Sequence, residues 1–197
     1  MRIFIAIDID EAIRERIARF LDGVRGFAPD VRWVRPESLH VTLKFIGEKP
    51  EPAVEQIKQA LATIRESAVD LSLRGYGFFP GAKAPRVFWI GFEAGQQLAV
   101  LAATVEEKMA SLGIAREDHP FSPHLTLARG PGGSGSPRRE KGDRANPNFQ
   151  KLQEKLAAMP ALEFGTMTAG DFILYQSQLS PKGAKYTPLA RFALATS

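Results

Sequence analysis

The sequence predicts an α+β fold with antiparallel pairing, and three observations lead there. Helical and strand-like segments alternate irregularly, and strands often follow strands directly, which favours antiparallel sheets over a doubly wound parallel one. The helical segments carry apolar residues at the 3.6-residue period, whereas the strand segments are short and bounded by Gly and Pro. No Gly-x-Gly-x-x-Gly turn leads directly from a strand into a helix, the only such spacing (Gly130, Gly132, Gly135) lying in a long polar stretch, and no Walker loop occurs in the 197 residues, so no nucleotide cofactor is expected.

The elements follow in order. Arg2–Ile9 alternates and is rich in Ile, as a strand does. Asp10 is placed to cap a helix whose apolar face is Ile13, Ile17, Phe20, Leu21 and Val24. Val31–Val34 and Leu39–Ile46 read as strands separated by Pro36. Pro52–Ser67 reads as a second helix, with Val54, Ile57, Leu61 and Ile64 in register. Strands near Val69–Phe79 and Arg86–Phe92 are joined by the turn-rich Pro80–Pro85. Gln96–Leu112 is a third helix, stopped by Gly113. Phe121–Ala128 reads as a strand, Asn148–Met159 as a helix, and two strands are expected near Phe164–Gln178 and Tyr186–Ala195. Gly130–Asn148 differs in kind. It is Gly-rich, almost without apolar residues, and basic, with Arg138, Arg139, Lys141 and Arg144 against Glu140 and Asp143. A mobile surface loop is expected there, within a single domain spanning 1–197.

Composition narrows the function classes. Hydrophobic residues make up 44% and charged residues 24%, as in a globular protein with one sizeable core. The absence of Cys excludes disulfides, thiolate metal sites and a Cys nucleophile. Asp8 and Asp10 arrive too early for a signal-peptide core, and no apolar run approaches the roughly 20 residues of a membrane span, so a cytoplasmic, membrane-free protein is expected. The net charge of +4 suits an anionic partner such as RNA.

The chemistry is carried by a short internal repeat. Leu39-His40-Val41-Thr42-Leu43 recurs as Pro123-His124-Leu125-Thr126-Leu127, and these two motifs use two of only three His in the chain. Side chains alternate across a strand, so each His shares a face with the Thr two places on, while apolar residues point the other way. Two such strands facing one cleft supply two imidazoles and two hydroxyls. A neutral His accepts a proton from a nucleophile, a protonated one donates to a leaving oxygen, and the hydroxyls bind non-bridging phosphate oxygens. Imidazole suits both tasks, because its free pKa of about 6.5 lets both forms exist near neutrality. The third histidine, His119, lacks metal-ligand spacing to either partner, so no metal is expected. Simple alternation puts Lys44 on the face of His40 and Thr42, as a possible phosphate contact, and Arg129 on the face opposite Thr126. Phe121 is a possible base-stacking contact. Phe45, Trp33 and Trp89 are assigned to core packing.

The stretches Arg2–Asp8, Arg32–Gly47, Pro85–Gly91, Pro120–Arg129 and Leu174–Tyr186, with both His-x-Thr motifs inside them, resemble the 2H phosphoesterases. The closest likeness is to the RNA 2′,3′-cyclic phosphodiesterases, also named 2′-5′ RNA ligases. The resemblance covers nearly the whole chain. It implies a bilobal fold with pseudo-twofold symmetry, helices outside, and one His-x-Thr from each lobe at a central cleft. It also implies metal-independent hydrolysis of RNA 2′,3′-cyclic phosphate ends to 2′-phosphomonoesters, with His40 as proton donor, His124 as proton acceptor and Thr42 and Thr126 on the phosphate. A monomer is expected. Three alternatives remain: an ATP-independent 2′-5′ ligase using the same pair, a phosphodiesterase for small cyclic nucleotides, and a non-catalytic RNA or nucleotide binder.

Overall fold

The computed structural model describes residues 1–131 and 147–196. Its first strand, β1 (Arg2–Asp8), is buried on both faces. Ile3, Ile5 and Ile7 enter the main core, while Phe4 and Ala6 join Ile173 and Tyr175 in a smaller cluster on the opposite side. Helix α1 (Glu11–Val24) buries Ile13, Ile17, Leu21 and Val24. Asp10 occupies its N-cap position, but its side chain makes no capping bond. The short β2 (Arg32–Trp33) and a 3₁₀ turn at Pro36–Ser38 lead into β3 (His40–Glu48). Helix α2 (Glu51–Leu61) ends earlier than its apolar period suggests. Ile64 is nonetheless buried, so the pattern marks the core face beyond the last helical turn.

Strands β4 (Val69–Phe79) and β5 (Val87–Ala94) precede α3 (Gln96–Ser111). Gly113, at φ +78°, ends α3 in the left-handed conformation that a side chain would disfavour. The expected strand at 121–128 is shorter: β6 is Leu125–Arg129, and the residues before it are irregular. The expected Gly130–Asn148 loop lies mostly outside the described residues; its last two residues belong to a 3₁₀ turn, Pro147–Phe149, that opens α4 (Gln150–Ala157). The single strand expected at 164–178 is two, β7 (Glu163–Ala169) and β8 (Asp171–Ser180), followed by β9 (Gly183–Ala193). The break at Gly170 passes the chain from one sheet to the other.

The fold is α+β with two sheets, ordered β3-β1-β8-β9 and β2-β6-β5-β4-β7, and every strand pair within them is antiparallel. Setting aside β2, the sheets correspond strand for strand: β3 with β6, β1 with β5, β8 with β4, β9 with β7. The connections agree, since β1-α1-β3-α2 and β5-α3-β6-α4 run through the same sequence of elements. One continuous core of Ile, Leu, Val and Phe joins both sheets to the helices. No helix among the described residues is long and apolar enough to cross a membrane.

Candidate active site

The two His-x-Thr motifs lie at matching places in the two sheets. His40 opens β3, and His124 directly precedes β6. Both motifs end in the same irregularity. On β3, Thr42 pairs with Ala6 and Lys44 with the adjacent Ile5, leaving Leu43 as an extra residue. On β6, Thr126 pairs with Trp89 and Ala128 with the adjacent Phe88, leaving Leu127 extra. Such a bulge interrupts the two-residue alternation and re-aims whatever follows.

The bulges change three assignments made from the sequence. Lys44 is turned into the interior and is 2% exposed, and Ala128 is buried in the equivalent place. Lys44 lines the depth of the cleft, but its ammonium is taken up by Glu106 and the Ala115 carbonyl rather than presented beside Thr42. Phe45, assigned to the core, is 63% exposed and lines the cleft. Arg129, placed opposite Thr126, lines the same cleft as Thr126. Nothing in the residue types signals an extra residue at Leu43 or Leu127, so regular alternation had no means of finding either change. Trp33 packs as expected, with its edge against Phe88 and its indole N–H donating to the Ala28 carbonyl at 3.0 Å. Trp89 lies beside the second histidine instead, its indole resting on Gly77 where a Cβ would have no room.

A cleft of about 620 Å³ is lined by His40, Thr42, His124 and Thr126 together. Phe121 and His119 stand on its wall, both exposed. Each catalytic candidate is held in the same way. His40 Nδ1 lies 2.8 Å from the Ser38 carbonyl, and His124 Nδ1 lies 3.0 Å from the Ser122 carbonyl. A carbonyl only accepts, so each Nδ1 carries the proton and each Nε2 is left to accept or donate. Among the described residues, no protein group engages either Nε2. Aromatic rings fix the imidazoles from the side. His40 meets Phe4 of β1 (4.8 Å) and, edge on, Tyr186 of β9 (5.0 Å). His124 meets Phe79 of β4 (5.0 Å) and Trp89 of β5 (6.3 Å).

Electrostatics separate the two rings. Burial lowers the His40 pKa from its ordinary 6.5; the Ser38 hydrogen bond and the Asp8 carboxylate oppose this, and Arg14 adds to it. Burial likewise lowers His124, opposed by the Ser122 bond, but here the nearby charge is Arg129, which lowers it further. Burial also pushes Tyr175, behind His40, up to about 12. Among the described residues, no three His, Cys, Asp or Glu side chains gather as a metal site.

Comparison with known proteins gives a consistent result. The LigT like Phosphoesterase family model matches residues 7–89 and 91–186. The chain is 36% identical over 192 residues to an RNA 2′,3′-cyclic phosphodiesterase of Archaeoglobus fulgidus, covering 98% of this chain and 99% of that one. A similarly named protein of Methanothermobacter thermautotrophicus is 32% identical, again covering 98% and 99%. The crystal structure of E. coli LigT complexed with 3′-AMP superposes with a TM-score of 0.75 at 28% identity, covering 98% of this chain and 97% of that one. A crystal structure from Thermus thermophilus gives the same TM-score at 30% identity, with 98% and 97% coverage. Matched over nearly its whole length, with a His-x-Thr strand from each sheet at one cleft, the chain belongs to the LigT-like phosphoesterase family, the 2H phosphoesterases.

Proposed function

We propose that this protein hydrolyses 2′,3′-cyclic phosphate ends of RNA to 2′-phosphomonoesters, by acid–base catalysis between two histidines and without a metal ion. The observation that carries this reading is the matched pair of imidazoles in one cleft, each with Nδ1–H on a carbonyl two residues upstream and Nε2 unengaged. The names of the relatives and the 3′-AMP in the E. coli LigT crystal structure support a nucleotide 2′,3′-cyclic phosphate as the substrate class.

In the proposed reaction, water attacks phosphorus and gives its proton to His124 Nε2. The bond from phosphorus to the 3′ oxygen breaks, and His40 Nε2–H protonates that oxygen. Solvent then returns each ring to its starting state. Thr42 and Thr126 hydroxyls donate to the non-bridging oxygens, whose charge grows at the transition state. The division of roles is supported by the charges beside each ring. Asp8 favours the protonated form at His40, whereas Arg129 favours the neutral form at His124. Burial works against protonating either ring, and the anionic substrate offsets that penalty where a proton is required.

The test is to incubate the protein with EDTA and an RNA ending in a 2′,3′-cyclic phosphate, and to identify the product. A 2′-phosphomonoester formed at the EDTA-free rate is expected. Loss of turnover in EDTA, restored by zinc or manganese, overturns the metal-independent mechanism. A 3′-phosphomonoester overturns the choice of leaving oxygen.

A further inference from the structure

Lys44 is the only charged residue that is fully buried among those described. Its ammonium donates to both carboxylate oxygens of Glu106 on α3, at 3.0 and 2.9 Å, and to the Ala115 carbonyl at 2.9 Å. The Glu117 carboxylate lies 3.9 Å from it. Glu106 Oε1 also accepts from the Glu117 backbone N–H at 2.9 Å. An ammonium has three protons, and these partners account for them all. With its side chain 1% exposed, Lys44 has neither a free donor nor a surface to offer a phosphate.

What this node holds is informative. Residues 116–123 have no regular structure, and residues 116–122 are exposed. Among the described residues, no backbone hydrogen bond anchors the segment between Glu117 and Ser122. Yet it supplies Phe121 to the cleft wall, and its Ser122 carbonyl takes the His124 Nδ1–H. Pro120 and Pro123 fix their own φ angles and so stiffen the run. A stiff segment anchored only at its ends takes its position from those anchors. The downstream anchor is β6, and the upstream ones are the buried Lys44–Glu106 node and, at the surface, the Arg116–Glu107 ion pair at 3.0 Å.

We propose that Lys44 and Glu106 are positioning residues for the second histidine: a strut from the first motif's own strand fixes the 115–123 segment, and with it the Ser122 carbonyl that orients His124. The extra residue at Leu43 makes this possible, because it turns the next side chain away from phosphate and into the interior. The two halves of the site are then not independent copies, since β3 carries both His40 and the lysine that holds the approach to His124.

This inference rests on the proposed hydrolysis for its kinetic readout, so a second readout is independent of activity. Lys44→Met and Glu106→Gln are each compared with the unaltered protein on a nucleoside 2′,3′-cyclic phosphate, and by backbone hydrogen exchange. Both variants should lose kcat on the order of 10- to 100-fold, with a smaller change in KM, because a misplaced general base costs rate more than binding. Exchange should quicken at the Glu117 N–H, the backbone amide of this segment that the node holds, while β1 and β8 stay protected. The double variant should be no worse than the more severe single, as for two ends of one strut. Glu106→Gln with unchanged kcat and unchanged exchange overturns the inference. So does a double loss equal to the product of the singles. If Lys44→Met does not fold, Glu106→Gln decides alone, since its side chain is partly exposed and its amide keeps an acceptor for the Glu117 N–H. Failure of the unaltered protein to turn over would count against the proposed function, and the exchange comparison would still judge the strut.

Discussion

The approach to His40 and the approach to His124 are built to different standards around the same local motif. Residues 35–39 form a 3₁₀ turn, with Ser38 N–H on the Arg35 carbonyl and Leu39 N–H on the Pro36 carbonyl. Behind it sits Arg14 of α1. Its guanidinium donates to the Pro36 carbonyl at 2.6 Å, the Leu39 carbonyl at 3.4 Å, the Ile9 carbonyl at 3.2 Å and Asp8 at 2.5 Å. One largely buried cation therefore fastens the turn that presents Ser38 to His40. His124 has no such clamp. Its carbonyl partner sits at the end of an exposed, irregular segment whose nearest upstream anchor is five residues away at Glu117. Two copies of a motif thus share orientation and chemistry while differing in rigidity and in neighbouring charge, Asp8 on one side and Arg129 on the other. A proton donor and a proton acceptor need that kind of difference.

The largest effect should come from removing either ring. His40→Ala and His124→Ala should each lower kcat by on the order of 10²–10⁴, the usual contribution of a general acid or base. The double variant should lose far less than the product, because the two act in one step. His119→Ala, on the cleft wall, should change kcat by no more than a few-fold. Rates on one cyclic phosphate, with folding checked by circular dichroism, make the comparison. A greater loss at His119 than at His124 would show that the second half of the site is centred on the wrong histidine.

The hydroxyls come next. Thr42→Ala and Thr126→Ala each remove one donor to the developing charge and should cost about 10²–10³ in kcat or less. Thr126→Ala should be the milder of the two, because Arg129, three residues on, lines the cleft and can offer the anion a cationic donor, whereas Phe45 stands at the matching position after Thr42. Equal losses in single-turnover rates would mean that Arg129 leaves the phosphate untouched.

The four residues that the fold gathers at the cleft stood out in the sequence, and so did the frame that carries them. Ile at alternate places announced β1, and the Ile13–Ile17–Leu21–Val24 face announced α1. The His-x-Thr pair needed only its repetition to stand out. What stayed hidden depended on pairing between distant strands. An extra residue at Leu43 or Leu127 leaves no mark in composition, because its neighbours remain apolar and β-forming. The fates of Lys44, Phe45 and Arg129 follow from those two residues. Arg14 was hidden for another reason. On the helix it is one more polar residue off the apolar face, and only the fold brings the Pro36 and Leu39 carbonyls to it.

Asp8→Asn should have a smaller effect, and one that sharpens the difference between the halves. Asp8 faces His40 across the β1–β3 pairing and raises its pKa. Removing the charge should let His40 deprotonate at lower pH. In the proposed mechanism His40 is the acid and must hold its proton, so its limb is the alkaline one in kcat/KM, and that limb should move to lower pH while the acidic limb stays. Titration of the two imidazoles by NMR assigns each limb to its ring. Movement of the acidic limb, tracking His40, would exchange the two roles.

The smallest effect concerns stability and follows from the sign of the same shifts. Both imidazoles have pKa values below 6.5 in the folded protein, chiefly through burial, while an unfolded chain keeps the ordinary value. Below pH 6.5 the unfolded chain therefore takes up protons that the folded one refuses. Stability from this source is full above 6.5 and is lost as pH falls towards the folded values. Denaturant titrations should show stability declining over that window, with a slope smaller than two protons would give. His40→Ala and His124→Ala should each flatten it. Asp8→Asn should steepen it, because His40 then refuses its proton more strongly in the folded state. Inorganic phosphate in the cleft should flatten it, since an anion between the rings favours their protonated forms. If Asp8→Asn flattens the slope instead, the carboxylate does not govern His40, and the electrostatic contrast between the two halves fails while their mechanical contrast remains.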